Sequence, residues 1–434
     1  MKQIILIPIY YFLKAIVWVA IKIYNPSTFV LGKKNLYQKG PLIVVSNHPN
    51  TLLDPLHVAV LFHRYVYFLA NASLFKNKII GWLLNQLYCI PVQRMQDTGG
   101  KPLNNVEAFK RSTDFLANNG CLYVAPEGTS WMEKRLHPIK TGTARIALNY
   151  AKDCNFEKEL MIIAVGLVYD KPNFFGSKVR IKVCDPIKVS DYQTDYYTNE
   201  KEAVRKLTNK IEVLLKSSII HTETIENEQI FTVIQDVYYG NSKEKYLDKV
   251  LKSQEIAEKL IAIESNNTPY YRAIAKASAE LKNILAAYGL DIRFKNEPQT
   301  FFHSVFLLLG LPLFLVGFVF NWLVALFPMM VRKWVKPVVE YHSTFNVLGG
   351  LIGLMILYPF NIYCIEKITN STFSKLEWWG IVFGMLLLGT LAKWWEIYFD
   401  QLLKKNKWKI FEKNNTNEYQ KIEMLEHNLL DFVY

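Results

Sequence analysis

The chain has 434 residues, of which 51% are hydrophobic and 21% are charged, and this composition excludes an extensively disordered protein. The formal net charge of +13 comes from basic residues beside long apolar runs, which favours anionic lipid headgroups over nucleic acid as the partner. The five cysteines are scattered, so the sequence indicates neither a zinc site nor a disulfide framework and is typical of a reducing compartment.

The first apolar run, Ile4 to Ile23, is close to the roughly 20 residues that a bilayer requires. Lys14 and Lys22 interrupt it, which favours a helix lying in the membrane interface with its lysines at the headgroups. Residues 24–27 offer no small-residue cleavage site, which disfavours a secretory signal. We therefore expect residues 1–30 to form a membrane-anchoring helix, with a single span as the alternative.

Short β-rich runs alternate with helical stretches in the next part of the chain, which predicts an α/β domain over residues 31–195 with a mixed, largely parallel sheet flanked by helices. The predicted strands are Leu42–Val45, Tyr65–Leu69, Ile90–Arg94, Cys121–Ala125, Met161–Val165 and Val179–Val183. The predicted helices are Thr51–Phe62, Phe75–Leu87, Leu103–Asn118 and Gly142–Ala151. Since ligands collect at the carboxyl ends of strands in such sheets, we expect the chemistry there.

Residues 196–298 predict an amphipathic helical connector without a catalytic constellation, because apolar residues recur at helical spacing among charges. Residues 299–400 hold three apolar segments, 301–331, 347–363 and 378–395, and residues 401–434 form a basic tail. Basic residues mark the cytoplasmic side, and Arg332 and Lys333 follow the first segment. A single crossing by the first segment would place these two residues outside. We therefore prefer a first segment that enters the membrane and returns around Pro312, followed by two spanning segments.

A histidine directly after the first predicted strand, His48, has a carboxylate on the next turn, Asp54. Such a carboxylate accepts one ring N–H of the histidine, which leaves the other nitrogen to take a proton from a substrate. This pairing arises often by chance, so it needs support from other residues. On general grounds His57 and His63 are expected to be packing or surface residues, and His137 is a weaker candidate.

Three further features supply that support. Arg94 ends a short extended stretch, Glu127-Gly128-Thr129 follows another strand, and Lys140 comes just before a helix that starts near Gly142. Arginine, lysine and main-chain amides at glycine turns are the groups that an anionic phosphate requires.

With these motifs the chain resembles the glycerophosphate acyltransferase superfamily, which includes glycerol-3-phosphate and 1-acylglycerol-3-phosphate acyltransferases. The first motif of the family, Asn-His before an aspartate, matches Asn47, His48 and Asp54. Its arginine matches Arg94, its Phe-Pro-Glu-Gly-Thr block matches residues 125–129, and its later lysine and glycine match Lys140 and Gly142. The resemblance covers about residues 41–185, and the set of motifs in this order is specific.

The resemblance implies direct transfer of an acyl group from acyl-CoA or an acyl carrier protein to a hydroxyl of a glycerol phosphate. It implies that His48 and Asp54 are catalytic, and that the substrate is bound by Asn47, Arg94, Glu127, Gly128, Thr129, Lys140 and Gly142. No metal or further cofactor is expected, and membrane lipids are the other expected partners. We expect an integral membrane protein with its active site on the cytoplasmic face, and the sequence leaves a homo-oligomer open.

Two departures from the family pattern bear on the substrate. Five residues separate His48 from Asp54 instead of four, a spacing shared by members that act on glycerol-3-phosphate or dihydroxyacetone phosphate. Ala164 stands where the family often has a proline, at the acyl-binding end of the site. The alternatives are a 1-acylglycerol-3-phosphate or other lysophospholipid acyltransferase, a non-catalytic lipid-binding membrane protein and, third, a thioesterase.

Overall fold

The structure is a computed structural model that describes residues 2–86, 88–94, 97, 99, 102, 104–266, 269–297 and 301–434. It folds into two compact units. The first unit comprises Met1–Ile220 with Pro337–Thr344, and the second comprises His221–Lys336 with Phe345–Tyr434.

Among the described residues, eight strands form one sheet in the first unit. They are β1 (Thr28–Leu31), β2 (Leu42–Ser46), β3 (Val66–Asn71), β4 (Cys89–Val92), β5 (Cys121–Val124), β6 (Met161–Tyr169), β7 (Val179–Val183) and β8 (Ile187–Lys188). The strand order is β1-β7-β6-β2-β5-β3-β4, and β8 pairs with β6. Strand β6 runs antiparallel to β7 and β8, whereas the other pairs are parallel, which confirms the predicted mixed, largely parallel sheet.

Helices cover both faces of this sheet, because successive residues of its central strands point to opposite sides. Ile43 and Val45 belong to the core shared with α4 (Val106–Ala117), α5 (Gly142–Asp153) and α7 (Glu200–Lys216). Leu42 and Val44 belong to the core shared with α2 (Leu53–Leu61). The first unit also holds α1 (Lys2–Tyr24), α3 (Lys78–Gln86) and α6 (Gln193–Thr198).

The predicted boundary of the α/β domain at residue 195 falls too early. Helix α7 lies in the first unit, since its apolar face, including Leu207 and Ile211, is part of the sheet's core. The predicted helices start or end a few residues from the observed ones, and two predicted terminal residues, Leu87 and Leu103, lie outside the described residues.

The second unit is helical. It holds α8 (Ile225–Asn241), α9 (Tyr246–Ser265), α10 (Pro269–Tyr288), α11 (Phe301–Val335), α12 (His342–Thr369) from Phe345 onwards, α13 (Lys375–Asn414) and α14 (Thr416–Val433). Helices α8 to α10 agree with the amphipathic connector expected from the sequence.

Within the described part of the chain, four helices are long and apolar enough to cross a membrane, by length and composition: Ile7–Tyr24, Phe301–Val335, Val339–Thr369 and Lys375–Asn414. The preferred return of the chain at Pro312 is wrong, because α11 continues through Pro312 as one helix of 35 residues. A proline removes one main-chain hydrogen bond, and apolar helices tolerate that loss where neighbouring helices pack against them.

Candidate active site

His48 and Asp54 meet at the carboxyl end of β2. Asp54 lies in the first turn of α2, and its Oδ2 is 3.0 Å from the ring Nδ1 of His48. The Asp54 side chain is fully buried, whereas that of His48 is 18% exposed. With Nδ1 held by the carboxylate, Nε2 is the nitrogen left for a substrate proton. The geometry is that of a general base with its orienting acid.

Two further donors hold Asp54. The main-chain N–H of Asn50 donates to Oδ2 at 2.6 Å, and the Tyr169 hydroxyl donates to Oδ1 at 2.7 Å. Burial and the neighbouring Asp54 raise the pKa of Tyr169 well above its ordinary value, so this phenol keeps its proton and remains a donor. Tyr169 ends β6, and the sequence analysis missed it because its partner lies 115 residues away.

Asn47 binds the main chain of the neighbouring strand β6. Its side-chain Nδ2 donates to the carbonyl of Leu167 at 2.9 Å, and its Oδ1 accepts the N–H of Leu167 at 2.8 Å. The residue is buried, and both polar atoms of its amide bind the main chain of β6. Asn47 therefore anchors the turn that carries His48, and its contact with substrate stays a prediction.

Glu127 also acts on the main chain. One carboxylate oxygen accepts the N–H of His48 at 2.9 Å, and the other accepts the N–H of His137 at 3.0 Å. Burial raises the pKa of Glu127 from 4.5 to about 7, against the lowering effect of these two amides. Since each oxygen binds a main-chain N–H, Glu127 positions the His48 turn, and its contact with substrate stays a prediction.

The turn after β5 brings Arg94 to the site. Gly128 has a φ of 79°, a backbone conformation that favours glycine. Its carbonyl accepts a hydrogen bond from Nη1 of Arg94 at 3.1 Å, and Nε of Arg94 is 2.6 Å from the Asp97 carboxylate. Thr129 is half-buried beside this glycine. The guanidinium is therefore held next to the Glu127-Gly128 turn.

Lys140 and the start of α5 lie by the same turn. The N–H of Lys140 donates to the carbonyl of Pro126 at 2.7 Å, and the residue is exposed. Helix α5 begins at Gly142, where an added Cβ would meet no atom within 4 Å. A helix N-terminus with open space and a nearby lysine is suited to an anion. The structure thus groups Arg94, Lys140 and Gly142 around one turn.

Part of the chain is similar to known acyltransferases. The sequence profile of the Acyltransferase family matches residues 27–168. The chain is 30% identical over 132 residues to the chloroplastic 1-acyl-sn-glycerol-3-phosphate acyltransferase BAT2 of Brassica napus, covering 30% of this chain and 36% of that protein. It is 25% identical over 194 residues to glycerol-3-phosphate O-acyltransferase 1 of Saccharomyces cerevisiae, covering 44% of this chain and 24% of that protein.

Residues 27–168 therefore form an acyltransferase domain, and the two relatives that it resembles are named 1-acyl-sn-glycerol-3-phosphate and glycerol-3-phosphate acyltransferases. The chain spans between 24% and 36% of the length of these two relatives. The crystal structure of the 1-acyl-sn-glycerophosphate acyltransferase of Thermotoga maritima is similar to it with a TM-score of 0.35 and 19% identity, over 50% of this chain and 80% of that one.

The acyltransferase domain also holds residues that sequence reasoning passed over. The Glu133 carboxylate lies 2.6 Å from Nε of Arg135 and 2.9 Å from Nε2 of His137, and the His137 ring stacks on Trp131. The N–H of Trp131 donates to the His48 carbonyl at 3.1 Å, so this loop is bound to the turn that carries His48. Arg135 lies on the loop between β5 and α5, as Lys140 does.

His57 is a packing residue, as expected. It is buried against the Tyr169 ring, and its Nε2 is 3.3 Å from Oδ1 of Asn25. Burial, with a smaller effect of Lys22, lowers the pKa of His57 to about 3, so the ring is neutral. His63 is exposed at the end of α2 and stacks on Tyr37.

Proposed function

We propose that this chain is an O-acyltransferase of phospholipid biosynthesis that moves a fatty acyl group from an acyl thioester to a hydroxyl of a glycerol phosphate. The observation that carries the proposal is the pair of His48 and Asp54, 3.0 Å apart at a strand end, within a domain of the acyltransferase family. Acyl-CoA and an acyl carrier protein are both suitable donors.

The pair supports a direct transfer. Nε2 of His48 takes the proton of the acceptor hydroxyl while its oxygen attacks the thioester carbonyl, and Asp54 stabilises the imidazolium that forms. The tetrahedral intermediate then breaks its C–S bond, and the leaving thiolate takes the proton from His48. General-base assistance of this kind is worth about 100- to 10,000-fold in rate.

The developing oxyanion requires hydrogen-bond donors near the turn that carries His48 or near the Glu127-Gly128 turn. The amides of His48, Asn50, Gly128 and Trp131 already donate to groups of the protein, so the oxyanion donors come from other amides or from the substrate side of the turns. Arg94, Lys140, Thr129 and the N-terminus of α5 are the groups proposed for the acceptor's phosphate.

We propose glycerol-3-phosphate or dihydroxyacetone phosphate as the acceptor, on the five-residue gap between His48 and Asp54. The second candidate is a 1-acylglycerol-3-phosphate, the acceptor named for the Brassica napus relative. Both acceptors present a free hydroxyl and a phosphate to the same residues. The reaction is proposed to take place at the cytoplasmic face of a membrane.

An acceptor panel tests the function. The detergent-purified full chain is offered a long-chain acyl-CoA with glycerol-3-phosphate, dihydroxyacetone phosphate or 1-acylglycerol-3-phosphate, and the ester products are quantified. We expect His48→Ala to lower kcat by about 100-fold or more, because the proton has no acceptor. The matched control is His63→Ala, which removes an exposed imidazole and should retain wild-type turnover.

The panel also separates the alternatives. Ester formation only with the 1-acyl acceptor would contradict the preferred substrate, while free fatty acid as the main product would indicate a thioesterase. Wild-type turnover by His48→Ala would show that His48 is not the base.

A further inference from the structure

A short segment from the C-terminal part of the chain lies in the first unit, against the catalytic turn. It comprises Pro337–Thr344, which follow α11 in the sequence and include the first turn of α12. We call these eight residues the brace. The brace contacts the stretch between His48 and Asp54, although 293 positions separate Thr51 from Thr344.

Hydrogen bonds connect the brace to three successive residues of this stretch. The Thr344 and Thr51 hydroxyl oxygens are 2.6 Å apart, and the Thr51 hydroxyl donates to the carbonyl of Glu340 at 3.0 Å. The main-chain N–H of Leu52 reaches the Thr344 hydroxyl at 3.4 Å. The Ser343 hydroxyl donates to the side-chain Oδ1 of Asn50.

The central residue of this contact has an unusual backbone. Thr51 has a φ of 36°, in the left-handed region that β-branched residues rarely adopt. Such a conformation persists only where the surroundings hold it. Among the described residues, the hydrogen-bond partners of the Thr51 hydroxyl are Glu340 and Thr344, both in the brace.

The held stretch also carries the orienting acid. Asn50 is fully buried, and its Nδ2 donates to the carbonyl of Pro172 at 3.0 Å while its Oδ1 accepts from Ser343. The main-chain N–H of the same residue donates to Asp54 at 2.6 Å. A shift of Asn50 would therefore move the carboxylate that fixes the His48 ring.

We propose that the brace is part of the active site, with Ser343 and Thr344 as positioning residues for the His48–Asp54 pair. The proposal rests on the proposed acyl transfer. The brace, which lies between the apolar helices α11 and α12, would then have a function in catalysis. Ser343 and Thr344 would act indirectly, by holding the stretch between His48 and Asp54 in place. The expected signature is a loss in kcat with little change in KM.

The first test is kinetic and uses the full chain. Thr344→Val removes the hydroxyl with little change of shape. We expect kcat to fall about tenfold, which is less than the roughly 100-fold that a 1 Å misplacement of catalytic groups can cost, with KM within about twofold. Thr344→Ser keeps the hydroxyl and should restore kcat. The matched control is Thr390→Val on α13, whose hydroxyl bonds only the carbonyl of Leu386 among the described contacts.

A double-variant cycle tests the specific contact. Thr51→Val and Thr344→Val should each lower kcat, and the double variant should lose less than the two single losses combined, because both single variants already lack the Thr51–Thr344 hydrogen bond. Each single variant also loses one bond of its own, to Glu340 or to Leu52. Full additivity of the two losses would overturn the proposal. Wild-type kcat in both Thr344→Val and the double variant Ser343→Ala/Thr344→Val would also overturn it.

The second test does not depend on activity. Thr51→Cys combined with Thr344→Cys should form a disulfide on mild oxidation of the full chain, detected by mass spectrometry of the linked peptides, while each single variant should not. Absence of the link in folded protein would refute the brace contact. A wild-type chain without acyl transfer would refute the proposed function alone, since the cross-link is read independently.

Discussion

Asp54 connects three parts of the acyltransferase domain at the level of single residues. His48 and the Asn50 amide bind one of its oxygens, and the Tyr169 hydroxyl binds the other. This arrangement fixes the His48 ring from a buried position, where solvent does not compete.

We expect Asp54 to contribute more to kcat than its hydrogen-bond partner Tyr169. Asp54→Asn should lower kcat by about 100-fold or more, because an amide cannot stabilise the imidazolium. Tyr169→Phe removes one hydrogen bond to the carboxylate and should cost about tenfold. Steady-state kinetics of both variants check this ranking, with Tyr37→Phe, an exposed tyrosine, as the control. A larger loss in Tyr169→Phe than in Asp54→Asn would contradict it.

Glu127 makes stability depend on pH. Its pKa is raised from 4.5 in the unfolded chain to about 7 by burial, so the native state holds this proton more tightly than the unfolded state. The resulting stabilisation is fully present below about pH 4.5 and is lost as the pH rises through about 7.

Glu127→Gln should remove that dependence. The amide mimics the neutral acid, so the difference in unfolding temperature between wild type and variant should shift in favour of the variant from pH 5 to pH 7.5. Thermal unfolding in detergent measures it, and Glu107→Gln, at an exposed position on α4, should show a constant difference. A difference that is flat with pH for Glu127→Gln would show that the carboxyl titrates alike in both states.

At the level of helices, α11 and α13 approach closely through glycine. A Cβ at Gly317 of α11 would lie 2.3 Å from the carbonyl oxygen of Leu388 on α13, and one at Gly389 would meet the side chain of Asn321. The amide of Asn321 donates to the Met385 carbonyl at 3.1 Å. Small residues at such a contact allow the backbones of apolar helices to pack.

Two alanine substitutions should therefore have opposite effects. Gly317→Ala should lower stability by about 1–3 kcal/mol, because the methyl group forces the helices apart. Gly384→Ala on α13 meets no atom within 4 Å and should be neutral or stabilising, since alanine favours a helix over glycine by about 1 kcal/mol. Thermal unfolding of the detergent-solubilised chain compares them, and equal shifts would argue against close packing at Gly317.

For the whole molecule, the apolar helices agree with a membrane-associated protein. The charge pattern predicts that the loop between α12 and α13 faces away from the cytoplasm, because basic residues follow α13 instead. Ser371→Cys in this loop should react with a membrane-impermeant maleimide in intact cells carrying Cys364→Ser. Glu107→Cys in the acyltransferase domain should react only after permeabilisation, and the reverse pattern would invert the proposed orientation.

The sequence by itself determined the order of motifs and most elements of the α/β domain. Leu42–Val45 is apolar without interruption, as a strand buried on both faces requires, and His48 follows it directly. Because parallel strands present their carboxyl ends at one edge, the approach of His48, Glu127 and Arg94 could be expected from the pattern alone.

Tertiary structure decided what these residues touch. Asn47 and Glu127 match family positions, yet their side chains bind main-chain groups of Leu167, His48 and His137. Tyr169 and Thr344 contact Asp54 and Thr51 from distant parts of the chain. Periodicity and spacing describe neighbours within a few residues, whereas these contacts depend on strand order and on how the chain returns to the sheet.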